Sequence, residues 1–413
     1  MIIKSKCFSI TILVFSLILI QSIGIRFFSG QGTFLSIIII LLSFKNFNDI
    51  NIKDIRFLLL AFLFILSSKV INQSYSYSSF FYQVLLIIST YLFLIGYRKK
   101  IDLLQKDFFL ALQIFVWHGL IGCFFSFLFP NQFVQFNGLN KTLYYVFYIS
   151  TSTFGNIQRN TGIFWEPGVF QLVANLYLFY CIKFHKSNRV IFFAVVAVVS
   201  SFSTSGLVLL SISALYFLYK KWKSKKITIS TIILLLFGSL ALVPVVNSNI
   251  KDKVNDENTS GLVRLRDFNI GIELIKEKPI LGHGIFDSDY LITKRYVKIW
   301  ESNIFSTEYQ EISDEMSGGY TNGLLGLIAW YGIPTSFLIY FFYFKNKFID
   351  DDFIERSLFN LILLISLISE PISYTSLFLM FPFSYWIINK KKKINRRQQK
   401  HQINNLIPNN NLI

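Results

Sequence analysis

Long apolar runs, separated by short polar and basic segments, dominate the pattern of this chain. Most of the runs have about 17–25 residues, the length that an α-helix needs to cross the hydrocarbon core of a bilayer. The pattern therefore predicts an all-α, polytopic membrane protein with about 12 transmembrane helices. The predicted spans are 7–25, 31–47, 55–71, 79–97, 107–129, 166–184, 189–203, 205–219, 227–246, 319–344, 353–369 and 372–389.

The run 189–219 can be interpreted as one long helix or as two spans. Strongly basic segments flank it, "KFHKSNR" before and "KKWKSKK" after. Because basic segments between spans stay in the cytoplasm, both flanks belong on the same side, which requires two crossings. The Ser- and Gly-rich stretch "STSG", from Ser203 to Gly206, is suitable for the turn between them.

The distribution of lysine and arginine places both termini in the cytoplasm and leaves two sizeable segments on the outer face. Every other outer loop is short, so we expect any chemistry at the outer surface. The predicted divisions are N-terminal helices 1–129, outer loop 130–165, central helices 166–246, long outer loop 247–318, C-terminal helices 319–389 and a basic cytoplasmic tail 390–413.

Composition supports a membrane protein and argues against a nucleic-acid-binding one. Charged residues make up 15% of the chain and hydrophobic residues 53%, whereas soluble domains carry about 25% charged residues. The net charge of +17 resides largely in segments between spans, where it sets orientation. The three cysteines fall in apolar runs without a CxxC pair, so the sequence suggests neither a metal site nor a redox site.

The first outer segment ends in "RNTGIFWEPGVF", which sets Arg159 and Glu166 directly before an apolar run. One interpretation is helix punctuation, because Pro167 suits a first helical turn and a carboxylate at Glu166 favours the positive end of the helix dipole. The other is a site in which Arg159 binds an anion and Glu166 handles a proton. Both interpretations can hold at once.

The second outer segment contains a predicted helix over 261–277. Apolar residues recur there at spacings of three and four, which predicts one apolar stripe that lies on the membrane or packs on the bundle. Arg264 falls at the edge of this stripe, on the side of Gly271, and Arg266 points the opposite way. The stripe consists of Leu265, Phe268, Ile272 and Ile275.

Glycines shape the two stretches that follow this helix. In "PILGHGIF", Gly282 and Gly284 flank His283 and permit a tight turn with close backbone approach. Further on, "YTNGLLGLIAWYGIPT" begins the next span, and we expect Gly332 and Pro334 to bend it.

Together these stretches resemble the superfamily of O-antigen polymerases and O-antigen ligases, which are bacterial membrane glycosyltransferases. The four stretches that carry the resemblance are "RNTGIFWEPGVF", "STSGLVLLSISALYFL", "RLRDFNIGIELIKEKPILGHGIF" and "YTNGLLGLIAWYGIPT". They cover about 159–335, whereas the first 150 residues match only as hydrophobic spans. Their order and spacing carry the resemblance, because each motif alone is weak.

The resemblance implies a C-type membrane glycosyltransferase in the bacterial inner membrane. Its reaction transfers a growing glycan from undecaprenyl pyrophosphate to the non-reducing end of one lipid-linked repeat unit at the periplasmic face. It uses no metal and no other cofactor, and a chain-length regulator protein is a candidate partner. The product could equally be O-antigen, capsule or exopolysaccharide.

A departing diphosphate gains charge, so without a metal fixed cations must stabilise it. The candidates for pyrophosphate binding are Arg159, Arg264 and Arg266, because arginine grips phosphate oxygens with its planar fork; Arg295 is a further one. The acceptor hydroxyl must lose a proton, and the candidate catalytic bases are Glu166 and His283.

Two alternatives stand beside a polymerase. Ligases of the superfamily carry a histidine before the asparagine of the last motif, and this chain has Thr321 there, which favours the polymerase. A flippase or exporter of lipid-linked oligosaccharide would place ionisable groups within the bundle. The spans here contain almost none, His118 being the main exception.

The topology makes a direct prediction. An epitope tag inserted within 250–260 should be reached from outside the cell by a membrane-impermeant reagent, because this segment belongs to the long outer loop. A tag in the tail 390–413 is the matched control and should be protected. Protection of the first tag would overturn the topology.

Overall fold

A computed structural model describes eight stretches of the chain. They are residues 10–72, 77–135, 141–150, 153–154, 157–223, 259–284, 322–349 and 352–388.

Helices dominate the described part of the chain, as the sequence pattern predicts. Eleven of the predicted spans coincide with helices, and the predicted span 227–246 lies outside the described residues. The span count of about 12 and the six divisions stay predictions. The helices are α1 Ile10–Ile23, α2 Gln31–Ser43, α3 Ile52–Asn72, α4 Tyr77–Ile95, α5 Ile101–Leu128, α6 Pro167–Lys183, α7 Asn188–Ser200, α8 Thr204–Lys223, α9 Thr259–Glu277, α10 Gly323–Phe344, α11 Phe353–Ser369 and α12 Ser376–Ile387.

Three of the described helices are long and apolar enough to cross a membrane, namely α4, α5 and α10. Others, including α1, α7 and α12, are apolar but shorter. Large exposed apolar side chains lie along the outer helices, as on Leu60 of α3 and Phe337 of α10. Such a surface suits a lipid environment.

Helix α6 is the centre of the bundle. All its residues from Pro167 to Lys183 are buried. It packs against α5, α7, α8 and α11. A helix that is apolar all round belongs in a core, and this property of α6 therefore fixes which helices surround it.

The structure resolves the two interpretations of 189–219 in favour of two helices. Helix α7 ends at Ser200 and α8 begins at Thr204, with the turn between them slightly before the predicted stretch. Phe202 adopts a left-handed conformation with φ 45°, which lets the chain reverse in three residues. Both helices then pack against α6.

The first outer segment departs from the all-helical prediction, because it forms short antiparallel strands. They are β1 Val134–Gln135, β2 Lys141–Tyr144, β3 Phe147–Ser150, β4 Thr153–Phe154 and β5 Ile157–Gln158. The hairpin of β2 and β3 packs on the end of α5. Its strand residues Thr142, Tyr144 and Ile149 are of the β-branched and aromatic types that suit a pleated surface.

Two buried carboxylates, Glu355 and Asp54, lie at the end of the bundle away from the segment 130–165. Glu355, in the first turn of α11, pairs with Lys183 (Nζ to Oε2, 3.0 Å) and with Lys220. Asp54, near the start of α3, pairs with Arg98. Each carboxylate has a cationic partner, so their burial does not require a site there.

The predicted helix over 261–277 is confirmed as α9, although the structure buries a different face from the predicted stripe. Ile270 and Leu274 pack against Ala329 and Trp330 of α10. Phe268, on the predicted stripe, is 49% exposed. The buried face also contains Asp267, and a polar residue in that position hides the face from an apolar pattern.

The turn after α9 is bound to a break in α10. The backbone N–H of His283 donates to the carbonyl of Ala329 (2.9 Å), and that of Ile333 donates to Pro279 (2.7 Å). Gly332 has φ 75° and ψ 167°, so α10 breaks there, which confirms the predicted bend. A Cβ on Gly282 would collide with the Trp330 carbonyl, which confirms the predicted close approach.

This contact predicts different costs for two glycine substitutions. Gly282 (φ 66°) and Gly30 (φ 80°) are both left-handed, but the space around Gly30 is open. Gly30→Ala should cost about 1 kcal/mol from conformation alone, whereas Gly282→Ala should cost several kcal/mol because backbone atoms must also move.

Thermal unfolding with a thiol-reactive dye measures this difference, because Cys123 and Cys181 are buried in the folded protein. A Cys7→Ser background removes the third thiol. Equal unfolding temperatures for the two variants would contradict the proposed backbone contact.

Candidate functional site

The segment before α6 is fixed by Asn160, which is fully buried. Its side-chain amide donates to the Gly119 carbonyl (3.0 Å) and to the Ser200 hydroxyl (3.0 Å), and its Oδ1 accepts from the N–H of Gly162 (3.0 Å). Its backbone N–H donates to the Ser200 carbonyl (2.9 Å). The segment is thereby joined to α5 and to the end of α7.

Arg159 lies next to this anchor. Its Nε donates to the Ser201 carbonyl, 3.2 Å away, in the turn between α7 and α8. Burial lowers the pKa of the Arg159 guanidinium, the negative charges of Glu166 and Glu370 raise it, and the positive charge of Arg264 lowers it. The charges of Glu166, Glu370 and Arg264, from three separate parts of the chain, therefore all influence the Arg159 guanidinium.

Glu166 occupies the N-cap of α6, and Pro167 is the first helical residue, as the sequence predicts. The Glu166 side chain makes no capping hydrogen bond and is exposed. The helix therefore does not engage this carboxylate as a cap, and the carboxylate stays accessible beside Arg159.

Arg264 is exposed on α9. It lies three residues before Asp267 and seven before Gly271, so the three share one side of the helix. Asp267 and Gly271 are buried, so this side of α9 faces the bundle. On this side of α9, Arg264 is near enough to Arg159 for its positive charge to lower the Arg159 pKa. The side chain of Arg266 and the whole of Arg295 lie outside the described residues.

His283 lies at a different junction, between α9 and the turn that follows it. Its side chain is buried, with Nε2 3.0 Å from the Leu274 carbonyl and 3.8 Å from a carboxylate oxygen of Glu277. Because a carbonyl only accepts, Nε2 carries the proton in this contact. These contacts join His283 to α9, not to the group around Arg159.

Glu370 is the residue of this group that the sequence analysis missed. It directly follows α11 and is 1% exposed. Its Oε1 lies so close to Gly168, in the first turn of α6, that a Cβ there would collide with it. The signal was present in the sequence, because Glu370-Pro371 repeats the Glu166-Pro167 pair at the edge of an apolar run.

The motifs predicted to act together meet around these residues. In the second motif, Ser205 lies 3.5 Å from the Gln171 amide of α6. In the fourth, Asn322 caps α10 by accepting from the N–H of Leu325 (3.0 Å). Gly323 follows, and a Cβ there would collide with the Glu370 carbonyl. The beginnings of α6, α8 and α10 and the end of α11 therefore belong to one face of the bundle.

Within the described ranges, no three His, Cys, Asp or Glu side chains cluster as a metal site would require. Among the described residues, the charged groups on this face include Arg159, Arg264, Glu166, Glu370 and the buried Asp267. The guanidinium groups suit the binding of an anion, and a carboxylate beside them can accept a proton from a neighbouring group.

The sequence model of the O-antigen ligase family matches residues 190–340. This match covers about a third of the chain, and over these residues the chain is similar to the O-antigen polymerase and ligase superfamily. The match spans α7 to α10 and includes Arg264, whereas Arg159, Glu166 and Glu370 lie outside it. No curated protein and no solved structure matches the chain.

The match confirms the resemblance over residues 190–340, and together with the apolar helices it supports a membrane protein. The family also implies a lipid-linked glycan as substrate and makes enzymatic activity the expected role. Polymerase and ligase are both covered by this assignment.

The anchor predicts a graded loss of stability. Asn160→Ala removes the three hydrogen bonds of the amide group and should destabilise the fold by about 3 kcal/mol, at about 1 kcal/mol for each bond. Ser200→Ala removes one of them and should cost about 1 kcal/mol. Thermal unfolding of the purified variants measures both values, and a larger loss for Ser200→Ala would contradict the anchoring role.

Proposed function

We propose that this protein is a polysaccharide polymerase of the bacterial inner membrane. It transfers a growing glycan from undecaprenyl pyrophosphate to the non-reducing end of an undecaprenyl-pyrophosphate-linked repeat unit. The reaction takes place at the periplasmic face, with both termini of the protein in the cytoplasm, and requires no metal.

The observation that supports this proposal is that the positive charge of Arg264 is near enough to Arg159 to lower the pKa of its guanidinium. Two guanidinium groups repel each other. An anion with several oxygens between them removes this repulsion and receives bidentate hydrogen bonds from each. A diphosphate on a lipid has this charge and geometry.

In the proposed reaction, the bond between the anomeric carbon of the growing glycan and the diphosphate oxygen breaks. The electron pair stays on the diphosphate, where Arg159 and Arg264 stabilise the charge that develops. A hydroxyl oxygen of the acceptor sugar forms the new bond to the same carbon and loses its proton to a base.

Glu166 is the base that we favour. Its carboxylate is exposed at the start of α6, is not used as a cap and lies in the same charged group as Arg159. His283 is the second candidate, but its ring is 7% exposed and its Nε2 contacts the Leu274 carbonyl. Arg266 remains a candidate for diphosphate binding because its position on α9 is close in sequence to Arg264.

A ligase is the alternative, and the description of the matching family favours it. Thr321 favours the polymerase, because ligases of the superfamily that this chain resembles carry histidine at that position. A flippase or exporter is a third alternative, for which the described bundle provides no line of ionisable groups through its centre.

Arginine substitutions test the role in diphosphate binding. Arg159→Ala and Arg264→Ala should each lower the polymerisation rate roughly 10²- to 10³-fold, as the removal of a donor to a developing anion does. Lysine at either position should rescue only partly because the planar fork is lost. Gels of cell-surface glycan should then show single repeats in place of a ladder.

The control is Arg189→Ala, which removes an exposed arginine at the start of α7, at the opposite end of the bundle. Its ladder should be normal. Normal ladders in both site variants would reject the role of these arginines. A deletion strain separates the functions, because capped single repeats indicate a polymerase, whereas complete loss of surface glycan indicates a ligase or an exporter.

A further inference from the structure

Glu370 is held where three helix ends meet. It follows the last residue of α11, its Oε1 lies against Gly168 of α6, and its backbone carbonyl lies against Gly323 of α10. Any side chain at either glycine would collide with Glu370. The two glycines therefore make room for this glutamate, and they hold its carboxylate at a fixed place.

The carboxylate of Glu370, against the first turn of α6, is near enough to Arg159 for its charge to raise the Arg159 pKa. Among the described residues, Glu166 has the same effect, and of the two Glu370 is the buried one, at 1% exposure. The other, Glu166, is exposed and therefore screened by water. A buried carboxylate keeps more of its Coulomb interaction, because the surroundings are less polarisable.

We propose that Glu370 is a fixed counter-charge to Arg159 that weakens diphosphate binding, so that the lipid diphosphate product can leave. This inference rests on the proposed function. Two guanidinium groups that stabilise a departing diphosphate also retain it afterwards. A fixed negative charge near Arg159 lowers the affinity for the diphosphate product and so favours its release. Glu370 acts by its negative charge on Arg159 and on the bound diphosphate without touching the reacting atoms, so it is not a catalytic residue.

The inference predicts an increase in affinity for the diphosphate, whereas structural damage to the site would decrease it. Glu370→Gln keeps the size and shape of the side chain and removes one negative charge. Affinity for a diphosphate should therefore rise, by roughly 3- to 30-fold, the effect of one unit charge about 10 to 20 Å away at an effective dielectric constant of about 20. A variant that only loosens the site would bind the diphosphate more weakly.

The experiment measures binding of farnesyl diphosphate, a short polyprenyl diphosphate, to the full-length protein in lipid nanodiscs. The matched control is Glu273→Gln, which removes the same charge from an exposed position on α9, nine residues from Arg264 and on the opposite side of the helix. Its affinity should stay within about 2-fold of wild type. Glu370→Asp keeps the charge and should also bind like wild type.

A double variant provides the test if Glu370→Gln alone does not fold. Arg159→Ala should bind farnesyl diphosphate more weakly than wild type, in part because Glu370 then repels the ligand unopposed. Adding Glu370→Gln to Arg159→Ala should restore part of the affinity. Unchanged or weaker binding on removal of the Glu370 charge in either background would overturn the inference. Binding by Glu370→Asp that is as tight as that of Glu370→Gln would also overturn it, because Glu370→Asp keeps the charge.

The outcomes separate this inference from the proposed function. Absence of farnesyl diphosphate binding by wild type, or wild-type affinity in Arg159→Ala, would overturn the diphosphate site and the inference with it. Weaker binding by Arg159→Ala together with unchanged binding by Glu370→Gln would overturn only the counter-charge.

Discussion

The hydrogen bonds of the buried Asn160 amide are the interaction on which the arrangement of the residues around Arg159 depends. Polar groups within an apolar bundle are costly unless each finds a partner. Asn160 meets this requirement with α5 on one side and the end of α7 on the other. Arg159 directly precedes Asn160 in the chain, and α6 begins seven residues after it. The hydrogen bonds of one amide therefore fix the position of a cation and of a helix end.

Helix α6 extends the same constraint through the bundle. Because all its residues are buried, its neighbours are determined on every side. Its first turn contacts Glu370 at the end of α11, while Lys183 in its last turn pairs with Glu355 at the beginning of α11. Helices α6 and α11 are thus matched in register at both ends, by a close carboxylate at the outer end and an ion pair at the other.

Several features of the fold could be predicted from the sequence because they depend on local patterns. Apolar run lengths predict the helices, Pro167 predicts the start of α6, and Gly332 with Pro334 predicts the break in α10. The strands within 130–165 were not predicted, because short strands in a polar segment give little periodic signal. The prediction of which face of α9 is buried was wrong, because the buried face includes the polar residue Asp267.

The candidate site was predictable only in part, for a similar reason. Arg159, Glu166 and Arg264 stand in motifs outside the apolar runs, where charges are noticeable. Glu370 stands at the edge of an apolar run and is easily interpreted as an interfacial residue. Its contact with Gly168 joins positions far apart in sequence, and no spacing rule connects them.

The length of α7 has a consequence for any lipid that surrounds it. At about 1.5 Å per residue, its 13 residues extend only about 20 Å. A bilayer core of about 30 Å is thicker than that, so a leaflet beside α7 would thin or cover the polar ends of the helix at an energetic cost. Hydrophobic mismatch of this kind would draw lipid headgroups inward at the side of the bundle where α7 packs against α5.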